Sequence, residues 1–426
     1  MVIIHRELFP NFFAGDKTPP IFQGILNLSP ESFYKGSVIQ PDIFNGVVTN
    51  FLDKGVKILD VGSRSTAPGV RAITREEELE RLKPYISTLC DSLPKDIVVS
   101  IDTQYSEIAQ YCINQLQKAN LRVIVNDVAG LKVDNKMTEV VVDHDIPLIL
   151  MASNKRPGDL LSVDSILESL FESVQYLENK NYDLNKLIID PGIGKWIPEK
   201  TYEYDLSIID NLERFRVFMQ PILVGISRKS FIGTVLNKKN ASERLVGTLA
   251  STTIAVYNGA HIIRTHDVTP ELQEMVKMAS AIRKNPLVSE KDGITAEFIS
   301  CIREPTEARI FLQRMGITQA GARIMDNKML TKLIMLENVT APQALILKQE
   351  MLARGGDVAV HKNVVTTENQ KYDKNQNVIL IGTEKQLNLL VDKLRGQQLE
   401  LDKIGTLISD VLMKSREVKS LHTISQ

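Results

Sequence analysis

Eight short apolar runs constrain the fold of this chain more than any other sequence feature. The runs cover 22–26, 57–59, 97–101, 122–125, 147–150, 186–189, 221–226 and 261–263, and the residues that stand at or just beyond their carboxyl ends are Asn27, Asp60, Asp102, Asn126, Met151, Asp190, Ser227 and Arg264. All strands of a (β/α)8 barrel point their carboxyl ends at one mouth, where side chains distant in sequence share a pocket. The pattern therefore predicts that these eight residues meet at one face.

Segments with helical periodicity separate the runs, for example 74–93 and 163–179. Parallel strands need long crossovers, so this alternation indicates a parallel sheet covered by helices. A doubly wound open sheet is the competing fold, but such a sheet concentrates its site at one switch point. Because candidate site residues follow all eight runs, we predict an α/β protein built on a (β/α)8 TIM barrel.

The length of 426 residues predicts two domains. A polar stretch around 285–293 contains Pro and Gly and is typical of a linker. We therefore place the barrel in residues 1–285, a linker in 286–296 and a smaller α/β domain of unknown role in 297–426. In that domain the patterns predict strands over 297–302, 331–336, 357–360 and 378–381 and helices over 306–315, 341–352, from Glu384 and from Ile404.

Charge and composition narrow the class of partner. The formal net charge is −1 without a long Lys/Arg run, so we expect no nucleic-acid partner. No apolar run approaches the roughly 18 residues of a spanning helix, so we expect no membrane segment. The three cysteines, Cys90, Cys112 and Cys301, have neither metal-binding spacing nor an even disulfide framework. This usage favours a reducing compartment, and we expect a cytoplasmic protein.

Carboxylates at strand ends suggest a site for a heterocycle. In Asp190-Pro191-Gly192-Ile193-Gly194 an acid precedes glycines that let a ligand approach the backbone. A carboxylate accepts two parallel hydrogen bonds from a cyclic guanidine-like edge. Asp102 and Asn126 stand at other strand ends and would complete the polar rim. Each Asp taken alone is equally well explained as a helix cap or a loop-closing residue, but their joint occurrence at strand ends favours a site.

Cations follow the last two runs. In Ser227-Arg228-Lys229-Ser230, Lys229 offers a point charge for an anionic or carbonyl ligand, although two solvated loop cations would give the same pattern. Arg264 and His266 share one face of an extended chain, because successive side chains alternate, so both can bind one phosphate group. Barrels often bind phosphate near strands seven and eight.

The first two loops, 27–33 and 63–69, are rich in hydroxyls and turn formers, which is typical of covering loops. Asn27 can offer its carbonyl oxygen to Mg²⁺, an ion that takes few protein ligands besides water and phosphate. Met151 is interpreted as pocket wall. No catalytic triad, P-loop or zinc motif is found.

Seven of these segments, taken in order, resemble the dihydropteroate synthase family, in an archaeal-type variant with an extra carboxyl-terminal module. The resemblance covers roughly residues 20–283 and implies the same (β/α)8 barrel. The segments are Gly-Ile-Leu-Asn-Leu-Ser-Pro-Glu-Ser-Phe (24–33), Ser-Thr-Ala-Pro-Gly (65–69), Ser-Ile-Asp-Thr (100–103), Val-Asn-Asp-Val (125–128), Asp-Pro-Gly-Ile-Gly (190–194), Gly-Ile-Ser-Arg-Lys-Ser-Phe-Ile-Gly (225–233) and Arg-Thr-His-Asp-Val (264–268).

The resemblance implies that p-aminobenzoate, or a modified aminobenzene, displaces pyrophosphate from 6-hydroxymethyl-7,8-dihydropterin pyrophosphate. The product is 7,8-dihydropteroate, a folate precursor. It further implies a homodimer, Mg²⁺ as cofactor with Asn27 as its ligand, and catalytic roles for Lys229 and Asp190. The implied binding residues are Asp102, Asn126, Asp190 and Lys229 for the pterin, Asn27, Arg264 and His266 for pyrophosphate, Ser227 for the aminobenzoate carboxylate, and Thr66 and Pro68 for its ring.

The chain departs from the family pattern in its covering loops. Ala67 stands where the family has Arg, and Arg64 or Arg71 would have to replace it. Glu31 and Lys35 stand where two aspartates are common, and Trp196 is the nearest aromatic residue after the Asp-Pro-Gly turn. A pterin-dependent corrinoid methyltransferase and a non-catalytic pterin-binding protein are the alternative functions. Lys229 with the Arg264 and His266 pair favours the synthase, because these residues suit pyrophosphate.

Overall fold

A computed structural model describes residues 3–31, 35–65, 70–283, 287–292, 294–362, 364 and 376–414. The chain divides into two compact units, of which the first ends at Cys301 and the second begins at Ile302. The three cysteines are free thiols. No helix in the described ranges combines the length and apolar character that crossing a bilayer demands.

The first unit begins with a β-hairpin that plugs the amino end of a barrel. The hairpin pairs β1 (His5–Phe9) with β2 (Phe12–Gly15) in antiparallel register. Its inward side chains Leu8 and Ala14 are buried and pack with residues at the beginnings of the barrel strands, including Val98. The sequence patterns did not predict this hairpin.

Eight parallel strands form the barrel, in the order β8-β7-β6-β5-β4-β3-β10-β9. Between β8 and β9 the ring is joined by a single bridge, in which the Ile189 N–H donates to the Pro221 carbonyl at 3.0 Å. The prediction of a (β/α)8 barrel is confirmed. The strands are β3 (Ile21–Asn27), β4 (Ile58–Gly62), β5 (Val98–Asp102), β6 (Arg122–Asp127), β7 (Leu148–Met151), β8 (Leu187–Asp190), β9 (Leu223–Val224) and β10 (Ile262–Thr265).

Helices cover the barrel, and several begin at side-chain caps that the sequence supplies. Thr74, Ser162 and Thr269 each accept a backbone N–H from the first turn of the helix that follows, which satisfies donors that the helix itself leaves unpaired. The helices are α1 (Phe44–Asp53), α2 (Arg75–Ser92), α3 (Ser106–Lys118), α4 (Met137–Asp143), α5 (Val163–Asn179), α6 (Tyr202–Asp210), α7 (Ser230–Val235), α8 (Leu245–Tyr257) and α9 (Pro270–Ile282).

A buried ion network fixes the amino end of the barrel. The Asp16 carboxylate accepts from Arg216 Nη2 at 2.6 Å and lies 3.2 Å from His261 Nε2. Burial lowers the pKa of His261 to about 4, although Asp16 acts in the opposite direction. His261 is therefore neutral near pH 7 and structural, at the end of the barrel away from the strand carboxyl ends.

The region around the predicted linker contains an antiparallel hairpin of β11 (Val288–Lys291) and β12 (Ile294–Glu297). The strand predicted over 297–302 is wrong, because β12 ends at Glu297. Nearly all side chains of this hairpin are exposed. A hairpin that buries neither face lacks the apolar alternation by which a strand is recognised in a sequence.

The second unit has a three-stranded antiparallel sheet in the order β13-β15-β14, with one apolar core of its own. Strand β15 alternates buried and exposed positions, and Val378 and Leu380 face the core. The helix predicted over 341–352 is confirmed with the same first and last residues. The elements are α10 (Pro305–Arg314), α11 (Gln319–Met325), β13 (Thr331–Val339), α12 (Ala341–Leu352), β14 (Asp357–Ala359), β15 (Gln376–Thr383), α13 (Glu384–Leu394) and α14 (Leu401–Lys414).

Candidate active site at the barrel mouth

A cleft of about 130 Å³ opens at the carboxyl ends of the barrel strands. Arg64, Ser65 and Trp196 line it together with six residues that the sequence singled out. Those six are Asn27, Asp102, Ser227, Lys229, Arg264 and His266.

Arg264 connects two of the strand-end carboxylates. Its Nε donates to Asp60 Oδ2 at 2.6 Å, and its Nη2 donates to Asp102 Oδ2 at 2.5 Å. Asp60 is fully buried and also accepts from Ser100 Oγ at 2.6 Å and from Asn126 Nδ2 at 3.2 Å. A buried carboxylate with this many donors is held in one orientation. Asp60 therefore organises the floor of the site, a role that its strand-end position alone did not reveal.

Of the two predicted acceptors, Asp102 lines the cleft and Asn126 does not. Asn126 is 1% exposed, and its Oδ1 has no hydrogen-bond partner among the residues that the structure describes. A buried polar atom without a partner is costly, so it marks a position where a ligand N–H would be favoured. Burial raises the pKa of Asp102 to about 7; Arg264 opposes this rise, and the carboxylate of Asp60 adds to it.

The turn after β8 brings Asp190 next to a tightly folded backbone. Asp190 Oδ1 accepts the Gly192 N–H at 2.8 Å, and burial raises the pKa of this carboxyl group. Gly192 and Gly194 have φ angles of 74° and 129°, which favour glycine. A Cβ on Gly194 would lie 2.9 Å from Lys229 Nζ. Glycine at this position is thus what allows the lysine to reach the turn.

Lys229 lies against that turn with its ammonium group partly buried. Its Nζ donates to the Ile193 carbonyl and lies 5.4 Å from the centre of the Trp196 ring. Burial lowers the pKa of Lys229 to about 8, although Asp190 acts in the opposite direction. Lys229 can therefore donate hydrogen bonds near neutral pH and loses its charge in mildly alkaline solution.

Ser227 and His266 meet at the cleft in the segments after β9 and β10. His266 Nδ1 lies 3.1 Å from Ser227 Oγ, and burial lowers the pKa of His266 to about 3. The imidazole is therefore neutral near pH 7 and can contribute hydrogen bonds but no charge. Arg228 points away from the cleft and makes a bidentate ion pair with Asp267 at 2.7 and 2.8 Å.

Asn27 is oriented by its own loop. Its Oδ1 accepts the Ser29 N–H at 3.1 Å, and its Nδ2 donates to Ser37 Oγ at 2.9 Å. The carbonyl oxygen retains a second lone pair for a cation. Among the described residues, no three His, Cys, Asp or Glu side chains are grouped as a metal-binding cluster. Any metal here would therefore need most of its ligands from a substrate and from water.

Ion pairs connect the first loop to helix α2. Glu31 accepts from both terminal nitrogens of Arg81 at 2.8 Å, and Arg81 also donates to Glu77 at 2.7 Å. Glu77 in turn accepts from Arg71 at 2.6 Å. Glu31, which departs from the family pattern, is thus paired with the guanidinium of Arg81, 50 residues further along the chain.

Of the two arginines considered as replacements at the second loop, Arg64 lines the cleft and Arg71 does not appear in its wall. Arg64 Nε donates to the buried carboxylate of Glu78, and its Nη2 donates to the Ile73 carbonyl at 2.7 Å. Arg71 is mostly exposed. Thr66, Ala67 and Pro68 lie outside the described residues.

Two further strand-end residues serve the scaffold. Both carboxylate oxygens of Asp127 are occupied by the N–H groups of Ala129 and Leu131, at 2.8 and 2.7 Å. Met151 is buried, and a Cβ on Gly192 would lie 3.4 Å from its Cγ. Met151 therefore packs against the turn after β8 and does not line the cleft, so its interpretation as pocket wall is not supported.

Comparison with known proteins places this site in a family. The sequence model described as pterin binding enzyme matches residues 23–266. The chain is 36% identical over 273 residues to the dihydropteroate synthase of Clostridium beijerinckii, covering 64% of this chain and 96% of the relative. It is similar to the solved dihydropteroate synthase of Clostridium difficile in the presence of pteroic acid, with a TM-score of 0.55, 33% identity, and coverage of 63% of this chain and 98% of that one.

A dihydropteroate synthase of Xanthomonas albilineans solved with 4-aminobenzoic acid is also similar, with a TM-score of 0.56, 26% identity, and coverage of 67% of this chain and 100% of that one. The chain therefore belongs to the pterin-binding enzymes. Within that class it belongs to the dihydropteroate synthase family of transferases, which join a dihydropterin to an aminobenzoate with release of pyrophosphate. The relatives have about the length of the first unit.

Proposed function

We propose that the barrel mouth carries out this transfer with separate ends for the pterin and for the leaving group. The observation that carries the proposal is the hydrogen-bonded set of Asp60, Asp102, Asn126 and Arg264, in which Asn126 Oδ1 has no partner among the described residues. Its oxygens match the N–H groups along the edge of a pterin ring. The resemblance adds Asp190 and Lys229 to the same end.

In this proposal the carboxylates of Asp102 and Asp190 and the Asn126 oxygen accept the N–H groups of the heterocycle. Lys229 donates to one of its acceptor atoms. When the bond from the methylene carbon to the pyrophosphate oxygen breaks, positive charge spreads from that carbon into the ring. Fixed carboxylates stabilise such charge in a partly buried site because they need no reorganisation.

The departing pyrophosphate would meet Asn27, Arg264 and His266, which line one cleft. Arg264 supplies positive charge and His266 a neutral hydrogen bond, because the low pKa of the imidazole leaves it uncharged. Asn27 fits Mg²⁺ as a single protein ligand, with phosphate oxygens and water completing the shell. Bound there, Mg²⁺ would neutralise charge on the leaving group.

The second substrate we propose is p-aminobenzoate or a related aniline, with its carboxylate at Ser227; the resemblance assigns contacts with its ring to Thr66 and Pro68. The amine nitrogen forms the new bond to the methylene carbon, pyrophosphate leaves with the electrons of the broken C–O bond, and the nitrogen then loses a proton. The 4-aminobenzoic acid complex of the Xanthomonas relative supports this choice.

The deciding experiment mixes the full chain with 6-hydroxymethyl-7,8-dihydropterin pyrophosphate, Mg²⁺ and p-aminobenzoate, and follows pyrophosphate and 7,8-dihydropteroate. We expect both products in equal amounts and no turnover when the aniline is omitted. Pyrophosphate release that requires a different aniline would change the second substrate. Methyl transfer from methyltetrahydrofolate without pyrophosphate release would support the methyltransferase alternative, and pterin binding without turnover would support the non-catalytic one.

We also propose that the barrel forms a cytoplasmic homodimer through α8 and α9. These neighbouring helices expose apolar side chains, of which Val246 is 75% exposed, Met278 59% and Ile282 62%. Exposed apolar side chains grouped on adjoining helices favour association. The three free thiols are compatible with a reducing compartment.

A further inference from the structure

We propose that Lys200 and Asp205, a buried ion pair outside the cleft wall, are positioning residues that hold the turn after β8 and thereby place Lys229 for the reaction. Neither residue was singled out by the sequence motifs. The proposal rests on the function proposed for Lys229, and one of its tests below does not require turnover.

The pair is buried and directly bonded to the turn. Lys200 and Asp205 are each 1% exposed, and Lys200 Nζ lies 3.3 Å from Asp205 Oδ1. Lys200 Nζ donates to the Gly192 carbonyl at 2.7 Å, and Asp205 Oδ1 accepts the Gly194 N–H at 2.7 Å. Two charged groups without solvent are stable only when their hydrogen bonds are satisfied. In this case the backbone of the turn supplies those bonds.

The same turn contacts both proposed catalytic residues. Between the two held groups lies the Ile193 carbonyl, which accepts the hydrogen bond from Lys229 Nζ. On the other side the Gly192 N–H donates to Asp190. Because both glycines have positive φ angles, the free chain has many other conformations available at this point. The ion pair selects the one in which the Ile193 carbonyl faces Lys229.

The pair also acts on Lys229 through its charges. Burial lowers the pKa of Lys229, Asp190 and Asp205 raise it, and Arg264 and Lys200 lower it. The two members of the pair therefore push this pKa in opposite directions. A general loss of stability would not shift the pKa of Lys229 in opposite directions in variants of the two residues. Opposite shifts therefore distinguish a positioning role from a role in stability alone.

The test uses two nearly isosteric variants of the full chain, Lys200→Met and Asp205→Asn. We expect kcat to fall on the order of 10²-fold in each, because the lysine is displaced from the position it needs. The alkaline limb of the kcat/KM profile should move to higher pH in Lys200→Met and to lower pH in Asp205→Asn. The proposal would be overturned if the alkaline limb stayed in place in either variant, or if it moved in the same direction in both.

A second measurement follows Lys229 without any substrate. The rate at which an amine-acylating reagent modifies Lys229 is measured against pH by peptide mass spectrometry, because only the neutral amine reacts. Midpoints that shift in opposite directions support the inference even if the barrel proves not to be a synthase, and unshifted midpoints contradict it even if the barrel is one.

Two further variants guard against loss of folding. Lys200→Met/Asp205→Asn removes both charges, which avoids leaving one buried charge unpaired. We expect it to be more stable than either single variant while the fall in kcat remains, and recovery of wild-type kcat would count against positioning. Asp16→Asn is the matched control, because Asp16 is in a buried ion pair at the amino end of the barrel. This variant should be less stable than the wild type, and the pH dependence of kcat/KM and of Lys229 modification should both remain unchanged.

Discussion

The two sides of the barrel mouth are held by different kinds of interaction. On the buried side, formed by strand-end residues, Asp60, Asp102, Asn126 and Arg264 lie in a buried or partly buried network with few alternative arrangements. On the side of the first loop, Glu31, Arg81, Glu77 and Arg71 form a chain of ion pairs at the surface. Buried pairs are screened little by salt, and surface pairs are screened strongly. The difference suggests a fixed platform for the pterin and an adjustable cover over it.

The largest expected effect comes from the buried side. Arg264→Met leaves the carboxylates of Asp60 and Asp102 without their shared cation, which should destabilise the fold by about 3–5 kcal/mol. We also expect kcat/KM to fall on the order of 10²–10³-fold, because charge on the leaving group is no longer neutralised. Urea unfolding and pyrophosphate release measure the two effects.

Arg214→Met is the control for that variant, because Arg214 pairs with Asp164 elsewhere on the barrel. It should lower stability and leave kcat/KM near the wild-type value. If Arg264→Met retained wild-type turnover, the site assignment on the buried side would be wrong.

The next expected effect is a narrow pH optimum. Asp102 must be ionised to accept ligand N–H groups, so kcat/KM should rise as pH increases through about 7. Lys229 must be protonated to donate, so kcat/KM should fall as pH increases through about 8. In the Lys229→Arg variant the side chain stays protonated over this pH range. The kcat/KM profile of this variant should therefore lose its alkaline limb. A wild-type profile that is flat across both values would contradict the assignment.

The smallest expected effect belongs to the first loop. Arg81 and Glu31 are each about one-fifth exposed, and their pair includes no fully buried carboxylate such as Asp60, which pairs with Arg264. Partly exposed pairs of this kind contribute about 1 kcal/mol or less. Arg81→Met should therefore raise KM for the pterin pyrophosphate a few-fold with little change in kcat, and the difference from wild type should shrink at high salt.

Lys83→Met is the matched control on the same helix, because Lys83 pairs with Glu80 in a more exposed position and does not contact Glu31. Its kinetics should follow the wild type at every salt concentration. A change in kcat rather than KM in Arg81→Met would indicate that the loop contributes to the chemical step and not only to covering the site.

Much of the fold could be predicted, because the relevant signals are local. The runs that end at Asn27, Asp102 and Asp190 match strands β3, β5 and β8 to within a residue or two at their ends, and a parallel arrangement of eight such strands leaves few topologies. The amino-terminal hairpin and the hairpin of β11 and β12 were missed. The first is too short to show a period, and the second buries almost no face.

The candidate site was predicted less completely, because its contacts join distant parts of the chain. Arg264 was predicted for the pyrophosphate end, and the structure adds its bonds to Asp60 and Asp102, which lie 204 and 162 residues away. Likewise, nothing near Glu31 in the sequence points to Arg81 as its partner.

By itself, the sequence determined the barrel, the strand ends that face its mouth and the family, because these depend on local periodicity and short motifs. Only the tertiary structure decided which charges are paired, that Oδ1 of Asn126 has no partner among the described residues, and that Lys200 and Asp205 bond to the turn next to Lys229. The physical reason is that a side chain's charge state and orientation depend on burial and on neighbours through space, and the folded chain alone brings those neighbours together.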